Sequence, residues 1–198
     1  MCKAYELDFD GVYFDNIDAC VMVSENGLEW AASLNLSKLI VDSVFNISMT
    51  IKGKYGRGFK VFVNIGSAVE LLSDPKFLSA IDGLLREEVW YTLRDGKSVR
   101  VPVEETATAL KYLVYARRKG KIVMVADFLD SEKLAKEFCR LCWNYCFIPH
   151  RNQYGYLITE LPLLRAGATP KGLLGRIRGT DFIRIVLNLM NKPLKYGE

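Results

Sequence analysis

The chain has 198 residues, half of them apolar and a quarter charged, which suits one substantial core and excludes wholesale disorder. No apolar run approaches the length needed to cross a bilayer, and Met1-Cys2-Lys3-Ala4-Tyr5-Glu6 lacks the basic start and apolar stretch of a secretory leader. A cytoplasmic location is the expectation, and five cysteines in that setting argue against a disulfide framework. The net charge of +4 is unevenly spread: residues 1–50 are acid-rich, whereas the last fifty carry eight basic residues against Glu160, Asp181 and Glu198. An acidic start and a basic end predict two faces with different partners. A single glutamine, Gln153, hints at a thermophile, although the asparagines pull the other way.

In chain order, the first third reads as strands. Ala4, Leu7, Phe9, Val12 and Phe14 sit among acids, and Ala19 to Val23 is a second apolar run. A helix is expected around Leu36 to Phe45. Asn46 to Ile51 and Phe59 to Val63 alternate with period two around Gly53-Lys54-Tyr55-Gly56, which predicts a hairpin. The middle turns helical after a short segment at Ser67 to Leu72. Ser73-Asp74-Pro75 opens a helix to about Glu87. Arg94-Asp95-Gly96-Lys97 between two apolar runs predicts a second hairpin.

Glu104 to Arg118 reads as a helix ended by Gly120, with Ala107, Leu110, Leu113 and Val114 on one face. Ile122 to Ala126 is a buried strand, Ser131 to Cys146 a helix, and Tyr154 to Leu161 a last strand. Two further helices are expected after Thr169-Pro170 and from Asp181 to Asn191. The order favours an α+β fold with a mixed, mostly antiparallel sheet of hairpins packed by helices. A core domain over 1–165 is followed by a basic helical region over 166–198.

The sharpest local feature is Asp8-Phe9-Asp10. Two acids one residue apart on a strand point to the same side and can share a divalent cation, Mg or Mn. Asp127, at the end of the strand Ile122–Ala126, is the third expected ligand and catalytic acid. Cys139, Cys142, Cys146 and His150 have a spacing that invites zinc. On one continuous helix, however, eleven residues rise about 16 Å, too far for one tetrahedral site. Buried free cysteines are the simpler reading. With one histidine, any hydrolase triad would have to run through His150.

Three basic groups suggest a polyanion partner, DNA or RNA. Lys52, Lys54, Arg57 and Lys60 interleave with Tyr55 and Phe59; Arg117 and Arg118 adjoin Lys119 and Lys121; Arg165, Lys171, Arg176, Arg178 and Arg184 lie along the tail. Cations beside aromatics suit phosphate tracking and base stacking.

Two families resemble these motifs. Asp8-Phe9-Asp10-Gly11-Val12 resembles the nucleophile motif of haloacid-dehalogenase-like phosphatases. That resemblance implies Asp8 as nucleophile, Asp10 as acid/base, Asp127 and Asp130 as distal metal acids, Ser67 as a phosphate-binding hydroxyl and Lys119 or Lys121 as the phosphate-pairing lysine. The same acids, followed by Gly56-Arg57-Gly58-Phe59-Lys60-Val61-Phe62 and then Lys121 to Asp127, resemble the order of motifs in archaeo-eukaryotic primases. Lys60 stands where that family carries a histidine.

The functional expectations are therefore a nucleic-acid-binding or nucleic-acid-processing protein, or a Mg-dependent phosphohydrolase. A non-catalytic interaction module is a further reading, docking a protein partner or a second copy through Phe182, Ile183, Val186, Leu189 and Met190.

Overall fold

The structure, a computed structural model, describes residues 9–25, 33–153 and 156–157. The chain opens with strand β1 (Gly11–Phe14), helix α1 (Ala19–Glu25) and the long helix α2 (Leu36–Tyr55). Strand β2 (Lys60–Asn64), a 3-10 turn (Val69–Ser73), helix α3 (Pro75–Ala80) and strand β3 (Gly83–Glu87) follow. A small hairpin, β4 (Tyr91–Arg94) and β5 (Lys97–Arg100), leads into α4 (Val103–Arg118) and β6 (Ile122–Phe128). Helix α5 (Glu132–Asn144), β7 (Ile148–Gln153) and the short β8 (Tyr156–Leu157) complete the described chain.

The main sheet has the order β1-β2-β3-β6-β7-β8, and every pair from β1 to β7 is parallel. Helices and strands are both present, as the sequence predicts, but the expectation of a mostly antiparallel sheet is overturned. Among the described residues, only β8 on β7 and the separate β4–β5 hairpin run antiparallel. Strand order follows chain order without reversal, so the sheet winds in one direction with its helices on one face. That is how the wall of a (β/α) barrel is built, and it differs from a doubly wound sheet, which needs a reversal and helices on both faces.

The two faces are filled differently. Val12, Val61, Val63, Leu84, Val123 and Val125 meet the helices in one continuous core that includes Val41, Val44, Leu113 and Phe138. The opposite face carries Phe62, Leu85, Met124 and Ala126, with Tyr13, Ile122 and Ile148 packed against them. Gly83 belongs to this second face. A Cβ there would lie 2.1 Å from Phe62 Cε1 and 2.8 Å from the Ile122 carbonyl oxygen, so the missing side chain is the space the phenyl ring occupies.

Several predicted elements change identity. The hairpin expected from Asn46 to Val63 is helix as far as Tyr55. Val41, Val44, Ser48 and Ile51 are its buried positions, and their spacing of three, four and three makes one helical stripe. Asn35 starts this helix by accepting from the Lys38 N–H at 2.9 Å, and Gly56 ends it at φ 85°. Ala19 to Val23, read as a strand, lies in α1. The helix expected from Ser73 to Glu87 stops at Ala80 and gives way to β3, while the Asp74 carboxylate caps its start through the Lys76 and Phe77 N–H groups. A short strand buried on both faces has no alternation to betray it.

Other predictions stand. Asp95 and Gly96, at φ 50° and 73°, form the tight turn expected of Asp-Gly. Helix α4 runs from Val103 to Arg118, and the chain turns at Gly120 with φ 82°. The C-terminal helices expected after residue 166 lie outside the described residues.

Asp127 fixes the connection that leaves β3. Its side chain is fully buried at the end of β6 and faces the helical layer. The Val89 N–H donates to Oδ1 at 2.8 Å, and those of Trp90 and Tyr91 donate to Oδ2, each at 2.9 Å. Burial pushes this carboxyl up to about 7, against the pull of those three donors.

Two outcomes test this packing. Gly83→Ala should cost about 1–3 kcal/mol in urea unfolding, and combining it with Phe62→Leu should cost less than the sum of the two changes. Asp127→Ala, which strands three buried N–H groups, should cost about 3–5 kcal/mol. Burial holds the Asp127 proton up to about pH 7 in the folded chain, well above the ordinary carboxylate range. This group therefore favours folding most at acid pH, and its contribution falls as pH rises through that window. Against Asp127→Asn, wild-type stability should decline more steeply between about pH 4 and pH 7.

Candidate functional site

In a sheet wound this way, the loops that follow the strands gather at one end, and side chains at the strand C-termini converge there. Asp15 follows β1, Asn64 ends β2 and Glu87 ends β3. All three alternate onto the face of Tyr13, Phe62 and Leu85, so polar groups crown an apolar layer.

Hydrogen bonds tie the crown together. The Asn64 side-chain amide donates to Asp15 Oδ1 at 3.1 Å, and the Asn16 N–H donates to the same oxygen at 2.9 Å. Asn64 Oδ1 accepts from the Gly66 N–H at 3.2 Å. Asp18 joins the first two loops by accepting from the Ser67 N–H at 2.9 Å and from its hydroxyl at 3.2 Å. Gly66 is required at that crossing. It sits at φ 48°, and a Cβ would lie 2.0 Å from Asp18 Oδ2. Asn16 and Glu88 also adopt positive φ, at 56° and 54°, so left-handed residues turn the chain just beyond all three strands.

The electrostatics single out Glu87. Burial raises its carboxyl above the ordinary range, the negative charges of Asp15 and Glu88 raise it further, and Arg86 and a hydrogen bond with Asn64 oppose the rise. Tyr13, beneath, is pushed up by burial and then by Asp15 and Glu87, so phenol and carboxylates share one electrostatic neighbourhood. Asp15 is exposed, whereas Glu87 and Asn64 are half-buried. Such a site pairs a carboxyl that resists ionisation with a second, solvent-facing carboxylate, the requirement for general acid catalysis beside an anionic partner.

Of the predicted acids, Asp10 and Asp127 do not come together. Asp8 lies outside the described residues. Asp10 precedes β1, where its carbonyl accepts from the Lys60 N–H at 2.8 Å. Phe14 is level with Val123 through Val63 and Leu84. Asp10 therefore lies four residues below that level and Asp127 four above it, a separation on the order of 25 Å along the strands. Asp127 moreover points at the helices and spends its oxygens on the turn after β3. Among the described residues no group of three His, Cys, Asp or Glu gathers to hold a metal ion. Cys139 and Cys142 are buried free thiols on α5, and Cys146 is exposed at φ 56° beyond it.

The basic residues fall at the other end of the sheet. Lys52, Lys54 and Tyr55 close α2, Arg57 lies in the turn beyond it, and Lys60 opens β2. Arg117 and Arg118 close α4, which feeds the start of β6. Lys52 Nζ pairs with Asp82 Oδ2 at 3.0 Å, Lys54 stands 5.4 Å from the Tyr55 ring centroid, and Arg117 Nε donates to the Cys146 carbonyl at 3.1 Å. Arg176, Arg178 and Arg184 lie outside the described residues.

Sequence reasoning missed Asn64 and Glu87 and passed over Asp15. The available signal was a polar residue ending each of three apolar strands, and it became readable only once β3 was recognised as a strand.

No family model matches the chain. A protein of Thermotoga maritima described as uncharacterized is 22% identical over 129 residues, which are 65% of this chain and 38% of that protein. Among solved structures, the glycoside hydrolase domain of PelA from Pseudomonas aeruginosa superimposes with a TM-score of 0.58 at 14% identity. The match covers 78% of this chain and 57% of that one, so the chain spans little more than half of its structural neighbour and well under half of the Thermotoga protein. The likeness to the PelA domain is one of fold.

Proposed function

We propose that the carboxylates at the C-terminal ends of β1 and β3 form a glycoside-cleaving site. The observation that carries this reading is the pairing of Glu87, whose carboxyl burial and neighbouring negative charge raise above the ordinary range, with the exposed Asp15 across the Asn64 amide. Shared fold with a domain named as a glycoside hydrolase adds support. Glu87 gives its proton to the glycosidic oxygen as the bond to the anomeric carbon breaks, and Asp15 stabilises the positive charge that develops on the sugar. In this reading Asp15 attacks the anomeric carbon as Glu87 protonates the departing oxygen, and water then hydrolyses the glycosyl–enzyme with retention.

The test is release of reducing ends from a panel of oligosaccharides, with the anomer of the first product read by NMR. Glu87→Gln and Asp15→Asn should each lower kcat/KM by roughly 10²–10⁴-fold without loss of fold. Because the acid works protonated, activity should fall as pH rises through the Glu87 midpoint, above the ordinary range for glutamate. An inverted product would reject Asp15 as nucleophile. Cleavage unaffected by either substitution would reject the site.

A second reading, nucleic-acid binding, concerns the opposite end. What supports it is that the C-termini of α2 and α4 deliver Lys52, Lys54, Arg57, Arg118 and Lys119 to the same rim of the sheet. Anisotropy of labelled DNA and RNA should show binding that weakens steeply between about 50 and 200 mM salt, and Lys54→Ala with Arg57→Ala should reduce it. Absence of binding at low salt would remove this reading. The phosphohydrolase and interaction-module readings depend on Asp8 and on the C-terminal helix, both outside the described residues.

A further inference from the structure

The crown at the strand ends contains one group that is neither acid nor base, and its hydrogen bonds dictate how it must stand. The amide of Asn64 has two different ends. Its Oδ1 accepts from the Gly66 N–H at 3.2 Å, and an N–H requires an acceptor, so the oxygen end is assigned by the backbone. The amino end is thereby turned to the carboxylates. One of its hydrogens reaches Asp15 Oδ1 at 3.1 Å, and hydrogen bonding from the same side chain opposes the rise of the Glu87 carboxyl. Gly66 itself cannot move freely, because its positive φ and its contact with Asp18 fix the turn that presents its N–H.

We propose that Asn64 is the positioning residue of the carboxylate pair, donating one N–H to Asp15 and the other to Glu87 while the Gly66 N–H holds the amide in that orientation. The inference rests on the carboxylate reading of the site. It goes beyond that reading by assigning the residue that keeps two mutually repelling acids side by side. Among the described residues, the charged and titratable groups that act on Glu87 are Asp15, Glu88 and Arg86, and Tyr13 shares its neighbourhood. Each of these is present with or without Asn64. Removing the amide takes from Glu87 a donor that favours its ionised form.

Two variants separate positioning from simple scaffolding. Asn64→Asp is nearly isosteric and keeps an oxygen for the Gly66 N–H, but it replaces both donors with a third carboxylate. Asn64→Ala removes donors and acceptor together. The measurement is a carbon-detected NMR titration of the Glu87 carboxyl in the full chain without substrate, beside a thermal melt. We expect the Glu87 midpoint to move upward in Asn64→Ala and further upward in Asn64→Asp. The alkaline limb of the pH–rate profile should move the same way in any glycan assay that succeeds. A Glu87 midpoint unchanged in folded Asn64→Asp would overturn the proposal, because a residue that only braces the loop would alter stability and leave the titration where it was. If Asn64→Ala does not fold, Asn64→Asp and Asn64→Ser decide the matter. Since the titration needs no substrate, failure to find a cleavable glycan leaves it interpretable and counts against the proposed function alone.

Discussion

Three consecutive backbone N–H groups converge on a single buried carboxylate, Asp127, and the architecture beyond β3 depends on that convergence. Glu88 turns the chain through a left-handed conformation, and its N–H bonds the Ala126 carbonyl at 3.0 Å, so the turn is stitched to β6 on both sides of its corner. Trp90 then accepts the Val101 N–H, and the Val89 carbonyl accepts the Thr106 hydroxyl, which anchors the hairpin and the start of α4 to the same point. A buried acid is costly unless its oxygens are satisfied, and here all three donors come from one short turn. The acid that looked catalytic in the sequence is thus a structural pin. Its effect on the site is indirect: it holds the strand end that carries Glu87.

Winding the sheet in one direction divides the chemistry between its ends. Every β-to-α loop emerges at the C-terminal ends of the strands, and that is where Asp15, Asp18, Glu87 and Glu88 collect. Helices α2 and α4 return to the opposite end, and a helix's last turn is where cations are favoured by the unpaired carbonyls. Lys52, Lys54, Arg117 and Arg118 follow that rule. The result is an acidic end built from strand termini and a basic end built from helix termini. The modest net charge of the chain conceals this polarity, which the linear acid-to-base gradient of the sequence only partly foreshadows.

Legibility in the sequence followed the strength of local signals. The Asp95-Gly96 hairpin, α4 with its terminating Gly120, the apolar strand Ile122–Ala126 and the amphipathic α5 were readable because turn chemistry, capping and periodicity agreed. Failures came where two periodicities fit the same residues. Asn46 to Ile51 alternates as a strand would, yet Val41, Val44, Ser48 and Ile51 also form a helical stripe, and packing against the sheet selects the stripe. Leu84 and Leu85 extend a helical pattern that Pro75 begins, but they separate onto opposite faces of β3. Losing β3 to a helix also lost Glu87.

The sequence by itself determined a mixed α and β chain, its tight turns and the residues of its main core, because those depend on neighbours a few positions apart. Tertiary structure alone decided that the sheet is parallel, since parallel pairing joins segments tens of residues apart and leaves no local mark. It also decided which acids matter. Asp10 and Asp127 share a motif-like order along the chain but stand at opposite ends of the sheet. Asp15, Asn64 and Glu87 have no sequence spacing in common, and they meet because three strands end side by side.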